Sequence, residues 1–465
     1  MTILDAPCLP VVGSNTLVPL VDGTVVPYAN LDCAASAPAL EAVAARVAQV
    51  LPLYASVHRG AGYLSQVSTA LYEASRRAIA NFVGARASDT TIITRNTTDS
   101  LNLLASCIPA GPDGRPGRVL VLDIEHHANL LPWQRSAGGA TAITGGASVA
   151  ETLDILRAEL ARADYALVAT TGASNVTGEA LPIADVVAIA HAAGARVVID
   201  GAQLIPHRRF SLAQTGVDYV AFSGHKTYAP YGAGALVGAQ DWLDQGEPYL
   251  AGGGAVRQVG LDSVTWTTSP ARHEAGSPNV IGAVALAAAC DALAAVDPAI
   301  LTAHEDYLRA RLVAGLEEID QVRIVRAWAD STHPVGVVTF VVDGSDPGLV
   351  AAYLSAEHGI GVRDGRFCAH PLLNRLGFDG GAVRASVGVG SSAAEVDRLI
   401  NALKAWVTDG VHTNYEVVDG CWAVKNDPRP TPIGLGLDAL IATASADLAT
   451  GVVTCGPAPR VAVNA

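Results

Sequence analysis

The sequence has few charged residues and no excess of basic ones. Asp, Glu, Lys and Arg make up 16% of its 465 residues, whereas hydrophobic residues make up 50%. This balance excludes a disordered or low-complexity chain and is typical of a globular protein with a well-buried interior. The 44 acidic residues outnumber the 30 basic ones, and the formal net charge is −14. Extended contact with nucleic acid or an anionic membrane needs clusters of Lys and Arg and is not expected, although one local phosphate or carboxylate pocket is compatible with this charge.

The sequence also shows no paired cysteines, no signal-peptide pattern and no long apolar run. Its seven cysteines have no CxxC or other paired spacing, which disfavours zinc, iron–sulfur and disulfide frameworks. The first residues, MTILDAPCLPVV, lack the basic start and apolar core of a signal peptide. The longest apolar stretch, Ile281 to Val296, contains Asp291 and is short for a membrane span, so it predicts a buried helix. We therefore expect a cytoplasmic protein with reduced thiols and no bound metal.

Short β-branched runs alternate with Ala-rich helical stretches between Leu31 and about Ala285. The runs predicted as buried strands are Thr91–Thr94, Arg118–Asp123, Tyr165–Thr170 and Ala195–Asp200, and the helical stretches include Glu151–Ala163 and Ile183–Ala193. This alternation predicts an α/β fold with a large, mixed, mostly parallel sheet. Ligands of such sheets bind outside the carboxyl ends of the strands, so polar residues directly after these runs are the candidate site residues.

The pattern changes after about Val296. Val335–Asp343 and Arg384–Gly390 are predicted strands and an amphipathic helix is predicted near Ala394–Val407, which together indicate a smaller α+β domain. A chain of 465 residues is long enough for two domains and a tail. We predict an N-terminal arm at 1–27, a large domain at 28–290, a small domain at 291–410, and a C-terminal extension at 411–465 whose pattern indicates no role.

A single lysine, Lys226, follows the strand-like run Tyr219–Phe222 in the segment SGHKTYAPYGAGAL. A lone lysine is most often a solvated surface charge. Apolar residues on both sides favour a pocket instead, where burial lowers the lysine pKa as a Schiff-base lysine requires. Ser223 and His225 are hydrogen-bond donors suited to a phosphate beside it.

Polar residues also follow two other predicted strands. Asp200 ends the run ARVVID, and Gln203 lies three residues later. Asp200 is either an ordinary turn residue or the carboxylate that keeps a cofactor ring nitrogen protonated, with Gln203 bonding to a ring oxygen. His126 and His127 follow the run that ends at Asp123. Because no HExxH pattern is present, an imidazole stacked on a flat cofactor ring fits His126 better than a metal ligand does.

Thr97 and Thr98 stand at a predicted helix start in the segment RNTTDSLNLLA. Their hydroxyls suit a helix N-cap. The same position exposes backbone N–H groups and two hydroxyls that can bind a phosphate. The two roles are compatible, so both threonines are candidate phosphate ligands.

These segments occur in an order that resembles one known family. DGAQ, SGHK, EHHAN and NTTDSLNLLA are similar to motifs of the class V aminotransferase superfamily, and most of all to its SUF-type cysteine desulfurase/selenocysteine lyase branch. The segments that extend the likeness are YANLDCAASA (Tyr28–Ala37), VHRG (Val57–Gly60), ASNVTG (Ala173–Gly178) and HEAGSPN (His273–Asn279). The resemblance covers roughly Tyr28 to Val407. It implies the fold type I of transferases that depend on pyridoxal 5′-phosphate (PLP), and a homodimer with active sites at the subunit interface.

The resemblance also assigns roles to individual residues. It implies that Lys226 forms the Schiff base with PLP. Around the cofactor ring, it places Asp200 at the pyridine nitrogen, Gln203 at the phenolic oxygen and His126 on the ring face. The residues that it places at the phosphate are Thr98, Ser223 and His225, with Ser277 reaching the phosphate bound to the partner subunit. Thr97 is a cofactor-binding candidate from its place at the helix start. The residues that it places at the substrate are Asn175, which also lies beside the cofactor, Arg384, whose planar guanidinium suits a carboxylate, and Arg363, His58 and Arg59.

Cys368 lies in the segment GVRDGRFCAHP, at the position that matches the desulfurase nucleophile. A cysteine is more often a small buried apolar residue, but this segment is too polar for a core, and its cationic neighbours favour the thiolate. The resemblance implies that Cys368 takes the sulfur or selenium of L-cysteine or L-selenocysteine, becomes a persulfide and releases alanine. Such an activity also implies a sulfur-acceptor protein as a partner.

Two departures from the family pattern leave other functions open. Family desulfurases carry Gly-His-His-Cys or a similar run where this chain has Gly-Arg-Phe-Cys at 365–368, and the usual architecture ends near Gly410. The alternative is a related class V enzyme, such as a C–S lyase, an epimerase or an aminotransferase, acting on another amino acid. A non-catalytic module of the same fold is disfavoured, because Lys226, Asp200 and Gln203 are all present.

Overall fold

The computed structural model describes residues 3–58, 60–111 and 113–430. The strands are β1 (Leu17–Pro19), β2 (Val25–Pro27), β3 (Ala29–Asn30), β4 (Asp89–Thr94), β5 (Val119–Leu122), β6 (Ala140–Ile143), β7 (Leu167–Thr171), β8 (Arg196–Asp200), β9 (Tyr219–Ser223), β10 (Gly234–Ala239), β11 (Val256–Val259), β12 (Val264–Trp266), β13 (Val322–Ile324), β14 (Val337–Val342), β15 (Ile360–Gly361), β16 (Arg363–Gly365), β17 (Ala382–Ser386), β18 (Tyr415–Val418) and β19 (Cys421–Val424). The α-helices are α1 (Glu41–Val50), α2 (Tyr63–Phe82), α3 (Thr97–Ser106), α4 (Leu131–Arg135), α5 (Val149–Arg162), α6 (Ile183–Ala192), α7 (Leu212–Thr215), α8 (Gln240–Gln245), α9 (Val280–Ala294), α10 (Pro298–Glu317), α11 (Pro347–His358), α12 (His370–Arg375) and α13 (Ala393–Asp409). The predicted substrate residue Arg59 and positions 431–465 of the predicted extension lie outside the described residues.

A seven-stranded sheet forms the larger layer of the fold, with the strand order β4-β10-β9-β8-β7-β5-β6. The predicted strands are confirmed as β4, β5, β7 and β8, and they are buried almost throughout. Continuous apolar runs of this kind occur where helices cover both faces of a sheet. The strand β10 runs opposite to the other six strands of this sheet, so the mixed, mostly parallel sheet predicted from the sequence is confirmed.

The strand directions bring several strand ends to one edge of this sheet. The strands β5, β7, β8 and β9 run parallel to one another. Because β10 is antiparallel to both β4 and β9, β4 points in the same direction as β9. The turns after all five strands therefore face the same side of the molecule, which is where ligands of such sheets bind.

A second, antiparallel sheet has the order β13-β14-β17-β16 and packs with α10, α11 and α13. The predicted helix near 394–407 is confirmed as α13, which begins with a capping box formed by Ser392 and Glu395. The strand predicted at 384–390 is β17 in the structure, which begins two residues earlier than predicted, at Ala382, and ends at Ser386. It ends there because Ser391 N donates to the carbonyl oxygen of Gly388, which closes a turn.

The N-terminal segment contributes to the core around the second sheet. The strand β3 pairs in parallel with β15, and Ala29 and Leu31 belong to the same hydrophobic cluster as β14 and α13. Residues near position 30 thus pack against residues that lie about 300 or more positions later in the chain. The boundaries predicted at 27/28, 290/291 and 410/411 remain predictions.

The apolar stretch near 281–296 forms α9, and ten of its residues, Val280, Gly282–Ala287, Ala289, Cys290 and Leu293, are buried. The prediction of a buried helix is confirmed. In the part of the chain that the structure describes, no single helix is long and apolar enough to span a membrane. Among the described helices, only α9 and α10 taken together have the required length and composition, and they are bent by 90° at the break between them.

The strands β18 and β19 form a hairpin in the predicted C-terminal extension, and it docks on α11. The carboxylate of Glu357 accepts hydrogen bonds from the backbone N–H of His412 at 3.0 Å and from the hydroxyl of Tyr415 at 2.8 Å. The indole of Trp422 lies against Gly348 at the start of α11. The described part of the extension is thus anchored to the second sheet.

A buried ionic cluster around Glu305 of α10 joins the two layers. Its carboxylate accepts hydrogen bonds from Arg208 Nη1 at 2.6 Å and from Gly336 N at 2.7 Å, and it pairs with His207 Nδ1 at 2.5 Å. Burial raises the pKa of Glu305, but His207 and Arg208 outweigh this effect and lower it overall. The charged form is therefore the one that the fold holds at neutral pH.

We expect Glu305→Gln to lower the free energy of unfolding by about 3 kcal/mol at pH 7, because removing one partner leaves buried charges without compensation. Because the folded-state pKa of Glu305 is lowered, the difference from wild type should shrink as the pH falls below about 4. Urea denaturation followed by circular dichroism measures both effects. Asp397→Asn, in the exposed pair with Arg311, is the matched control and should change stability by less than about 1 kcal/mol. Equal losses in the two variants would contradict the role of the cluster.

Candidate active site

A cavity of about 290 Å³ opens where the carboxyl edge of the large sheet meets the second sheet. The predicted site residues that line it are Thr97, Thr98, His126, Asn175, Asp200, Gln203, Ser223, His225, Lys226, Arg363, Cys368 and Arg384. Residues from positions 97 to 384 therefore converge on one space. The lining residues that the sequence pattern did not single out include Asn96, Thr171, Asp364 and Phe367.

Lys226 lies in the turn that follows β9, with its side chain at the cavity. Burial lowers the pKa of its amine to about 8, and the nearby Asp200 opposes this shift. A lysine with such a pKa has an appreciable neutral fraction near physiological pH. A neutral amine is a nucleophile, so Lys226 can react with an aldehyde as the sequence predicts.

Asp200 is the last residue of β8, and its side chain is 3% exposed. Its Oδ1 accepts a hydrogen bond from Ala202 N at 2.9 Å. Burial raises the pKa of Asp200, although Lys226 counteracts the shift. A buried carboxylate of this kind is stabilised by a cation or an N–H donor placed in the cavity.

Gln203 lines the cavity, and only one of the two polar atoms of its side-chain amide has a hydrogen-bond partner among the described residues. Its Nε2 donates to the carbonyl oxygen of Ala34 at 2.7 Å. Its Oε1 is buried and has no hydrogen-bond partner among the described residues. A buried polar atom without a partner beside a cavity indicates that a polar ligand belongs there.

The N-terminus of α3 and the turn after β9 form one polar corner of the cavity. Thr97 N donates to Ser223 Oγ at 2.8 Å, and the two hydroxyls lie 2.7 Å apart. Asn96 is the N-cap, and its Oδ1 accepts from Asp99 N at 2.9 Å. The predicted N-cap role of Thr97 and Thr98 is wrong, because the cap is Asn96. Both threonines line the cavity, and their role at a phosphate stays a prediction. A helix N-terminus with hydroxyls beside it suits an anion.

His126 is a neutral imidazole in this setting. Burial and the charge of nearby Lys226 lower its pKa to about 3. Its Nδ1 accepts a hydrogen bond from Ala128 N at 3.0 Å, so the ring proton is on Nε2. The cavity therefore contains an uncharged aromatic surface of the kind predicted to stack on a cofactor ring.

Cys368 lies on a strained loop after β16. Both Phe367 and Cys368 have φ of +53°, a region that side-chain-bearing residues rarely adopt. The loop is held by bonds to the large sheet: Asn175 Nδ2 donates to the carbonyl oxygen of Phe367 at 2.7 Å, and His127 N donates to that of Cys368 at 2.8 Å. These hydrogen bonds hold the loop that carries the thiol at the edge of the large sheet.

Two buried cations lie within electrostatic range of Cys368. Negative charge on Cys368 supports the protonated forms of Lys226 and Arg384, although burial is the larger effect on the pKa of each and lowers both. Cations near a cysteine favour its thiolate, which is the reactive form. The sequence predicted cationic neighbours from within the same segment, whereas these two come from β17 and from the turn after β9.

Arg384 projects from β17 and is 3% exposed. Its Nη1 donates to the carbonyl oxygen of Asn175 at 2.9 Å, and its Nη2 donates to Asp32 Oδ1 at 3.1 Å. Its Nε has no hydrogen-bond partner among the described residues. A guanidinium with a spare N–H at a cavity suits a carboxylate ligand.

Asp32 is a residue of this site that the sequence analysis missed. Its Oδ1 accepts from Arg384 and its Oδ2 pairs with Arg363 Nη2 at 3.0 Å, so one carboxylate bridges two arginines. Asp32 lies inside the motif YANLDCAASA, but its partners are more than 300 residues away. The motif was the only available signal, because no local spacing connects these positions.

Glu125 is a second missed residue, placed directly before His126. It is buried, its Oε2 accepts from Asn129 Nδ2 at 2.6 Å, and its Oε1 accepts from Thr171 N at 3.1 Å. Burial raises the pKa of Glu125 to about 8. Glu125 lies in the segment after β5, close enough to Asp200 for their charges to interact. A carboxyl group that stays largely protonated at neutral pH adds little negative charge there.

Two predicted site residues do not line the cavity of their own chain. Ser277 is exposed in the loop before α9. His58 has φ of +67° and pairs with Glu73 at 3.0 Å. Their predicted roles at the phosphate and the substrate remain predictions, as does the role of Arg59.

Comparison with known proteins identifies the family. Residues 29–399 match the family described as "Aminotransferase class-V". A protein named "Probable cysteine desulfurase" from Vibrio cholerae is 38% identical over 357 residues, which span 75% of this chain and 86% of that protein. The apo structure of a cysteine desulfurase from Thermococcus onnurineus is 34% identical with a TM-score of 0.75, over 82% of this chain and 94% of that one. The cysteine desulfurase CsdA from Escherichia coli is 33% identical with a TM-score of 0.71 over the same shares. The chain belongs to the aminotransferase class-V family, and its fold is that of the cysteine desulfurases of fold type I.

We expect the rate of Lys226 acylation by acetic anhydride to rise with pH around a midpoint near 8, after any bound carbonyl ligand has been removed with hydroxylamine. Asp200→Asn should move the midpoint to lower pH, because the Asp200 charge supports the protonated amine. Peptide mass mapping measures the modification, and Lys404, which is 45% exposed, reports reagent accessibility in the same sample. A midpoint that is unchanged in Asp200→Asn would contradict the coupling between these two side chains.

Proposed function

We propose that this chain is a PLP-dependent cysteine desulfurase that acts on L-cysteine or L-selenocysteine. The observation that carries the proposal is the convergence of a reactive amine, a buried carboxylate and a thiol, those of Lys226, Asp200 and Cys368, on one cavity. The names of the relatives, three cysteine desulfurases at 33–38% identity, support it.

The side chains at the cavity fit PLP. Lys226 provides the amine for its aldehyde, and Asp200 provides a carboxylate for its ring nitrogen. Oε1 of Gln203 is buried without a partner, and the N-terminus of α3 with Ser223 suits the phosphate. When bound, PLP supplies a carbonyl group that captures amines and a ring that withdraws electrons from the captured amino acid.

Arg384 is the residue that binds the substrate carboxylate in this proposal. Its spare Nε–H and its position on the rigid strand β17 suit that task. Arg384, Phe367 and Cys368 line the same cavity. An amino acid whose carboxylate is bound by Arg384 therefore presents its side chain inside a space that also contains the thiol.

Cys368 takes the sulfur. An S–S bond forms between Cys368 Sγ and the substrate sulfur while the substrate Cβ–S bond breaks. The carbon retains the electron pair of that bond and takes up one proton, which gives alanine, and the proton lost from the Cys368 thiol balances the sum. The amine of Lys226, with a pKa of about 8, can carry protons to and from the substrate carbon.

We further propose a homodimer, a cytoplasmic location and a protein that accepts the persulfide sulfur. Ser277 is exposed outside the cavity of its own chain, which suits a residue that serves the partner subunit. The hairpin of β11 and β12 exposes Val259, Leu261 and Val264, an apolar set that a second copy would cover. The described cysteines form no disulfide bonds, in keeping with a reducing compartment.

We expect Cys368→Ala to lose L-cysteine desulfuration by more than about 1,000-fold, because the nucleophile is removed. Wild type should give alanine and sulfide in equal amounts with dithiothreitol, and mass spectrometry without reductant should find one extra sulfur atom on the peptide that contains Cys368. Cys421→Ala is the matched control, since Cys421 is exposed on the C-terminal hairpin, and it should retain wild-type activity.

The same assay separates the alternatives. Pyruvate that persists in Cys368→Ala would identify a C–S lyase. A keto acid, or the opposite enantiomer of the added amino acid, would identify an aminotransferase or an epimerase. An absorbance spectrum that does not change on adding any amino acid would indicate a non-catalytic module.

The homodimer is tested by sedimentation equilibrium of the PLP-loaded protein. We expect twice the mass of the chain at micromolar concentration, because the active site is proposed to need Ser277 from the partner subunit. Ser277→Ala should then weaken PLP retention without changing the sedimented mass. A species with the mass of one chain that retains full activity would contradict the shared site.

A further inference from the structure

The ring of Phe367 lies on the buried guanidinium of Arg384. The distance from Arg384 Cζ to the centroid of the Phe367 ring is 5.1 Å. A guanidinium within about 6 Å of an aromatic face is attracted to it, and the attraction is stronger where water is excluded. Arg384 is almost completely buried, so the contact is of the stronger kind.

The aromatic contact engages the face of the guanidinium and none of its N–H groups. Nη1 and Nη2 each donate to one protein oxygen, on Asn175 and Asp32, whereas Nε has no partner among the described residues. A ring stabilises positive charge through the flat face and uses none of the five N–H donors. A second carboxylate in place of the ring would compete for those donors. The arrangement thus stabilises Arg384 while keeping donors for a ligand.

The position of the ring is fixed by the backbone rather than by side-chain packing alone. Phe367 has φ of +53°, and its carbonyl oxygen is held by Asn175 Nδ2 at 2.7 Å. The next residue, Cys368, has the same φ, and its carbonyl oxygen is held by His127 N. Two consecutive residues in this region persist only where the surroundings impose them. The loop that presents the thiol therefore also presents the ring.

We propose that Phe367 is a positioning residue that holds Arg384 for the substrate carboxylate. It makes the site specific for α-carboxylate-bearing amines. The inference rests on the proposed binding of the substrate carboxylate by Arg384. Phe367 itself transfers no atom, and its effect reaches the substrate through the guanidinium.

The experiment compares Phe367→Leu with Phe367→Tyr in the PLP-loaded enzyme. Leucine removes the aromatic face, whereas tyrosine retains it. We expect Phe367→Leu to raise the KM for L-cysteine and the Kd for L-alanine about fivefold, with kcat changed by less than about twofold. Phe367→Tyr should stay within about twofold of wild type in all three. Absorbance changes of the bound cofactor measure the Kd.

Ethylamine distinguishes a specific effect on carboxylate binding from a general disturbance of the site. It is L-alanine without the carboxylate, so its Kd should be the same in wild type and Phe367→Leu. Equal weakening of L-alanine and ethylamine, or a fall in kcat with unchanged KM, would overturn the inference. If Phe367→Leu does not fold, as judged by circular dichroism, Phe367→Met replaces it, because its unbranched side chain fits the volume without an aromatic face.

The two proposals fail separately. If wild type does not release alanine from L-cysteine, the proposed desulfurase function is wrong. The comparison of L-alanine with ethylamine still decides the role of Phe367, because it measures carboxylate binding and not turnover. If wild type is an active desulfurase and Phe367→Leu binds L-alanine as wild type does, only the role of Phe367 is wrong.

Discussion

Parallel pairing of β5, β7, β8 and β9 is the constraint on which the site depends. It brings the turns after these strands to one edge, although they are separated by about 25 to 50 residues in the chain. Lys226, Asp200 and His126 each lie at or within a few residues of such a strand end. Their mutual effects on pKa follow from this convergence, since each is buried beside the others. A shift of register between β8 and β9 would separate the amine of Lys226 from the carboxylate of Asp200.

The second sheet supplies the parts that the first lacks. Arg384 on β17 and Cys368 after β16 approach the strand ends of the large sheet, and hydrogen bonds from His127 and Asn175 hold the cysteine loop there. The chain as a whole has a net charge of −14, yet the cavity gathers Lys226, Arg363 and Arg384. A local pocket for an anion is compatible with the acidic composition, and here it is formed by basic residues that are distant in sequence.

The sequence was sufficient for the parts of the molecule that depend on local pattern. The runs at 118–123, 165–170 and 195–200 were predicted as strands because their apolar residues are consecutive, and the residues after them line the cavity. The bridge from Asp32 to Arg363 and Arg384 could not be predicted, because it spans more than 300 residues. The φ of Phe367 has no signature either, since aromatic residues seldom adopt positive values. Ser277 and His58 were placed by resemblance alone, and a single chain does not bring them to the cavity.

The bridge formed by Asp32 has a consequence for the entry of an anion. Arg384 already pairs with one carboxylate oxygen of Asp32. The other oxygen of Asp32 pairs with the guanidinium of Arg363. A carboxylate ligand at Nε of Arg384 would therefore join a guanidinium that already has one carboxylate partner. The guanidinium of Arg384 is buried before the ligand binds as well as after it, so the free-energy cost of removing its water arises during folding and not during binding. The contact between the guanidinium and the ligand would therefore form away from bulk solvent, where dissolved salt screens charges weakly. The affinity for the carboxylate should then depend only weakly on ionic strength.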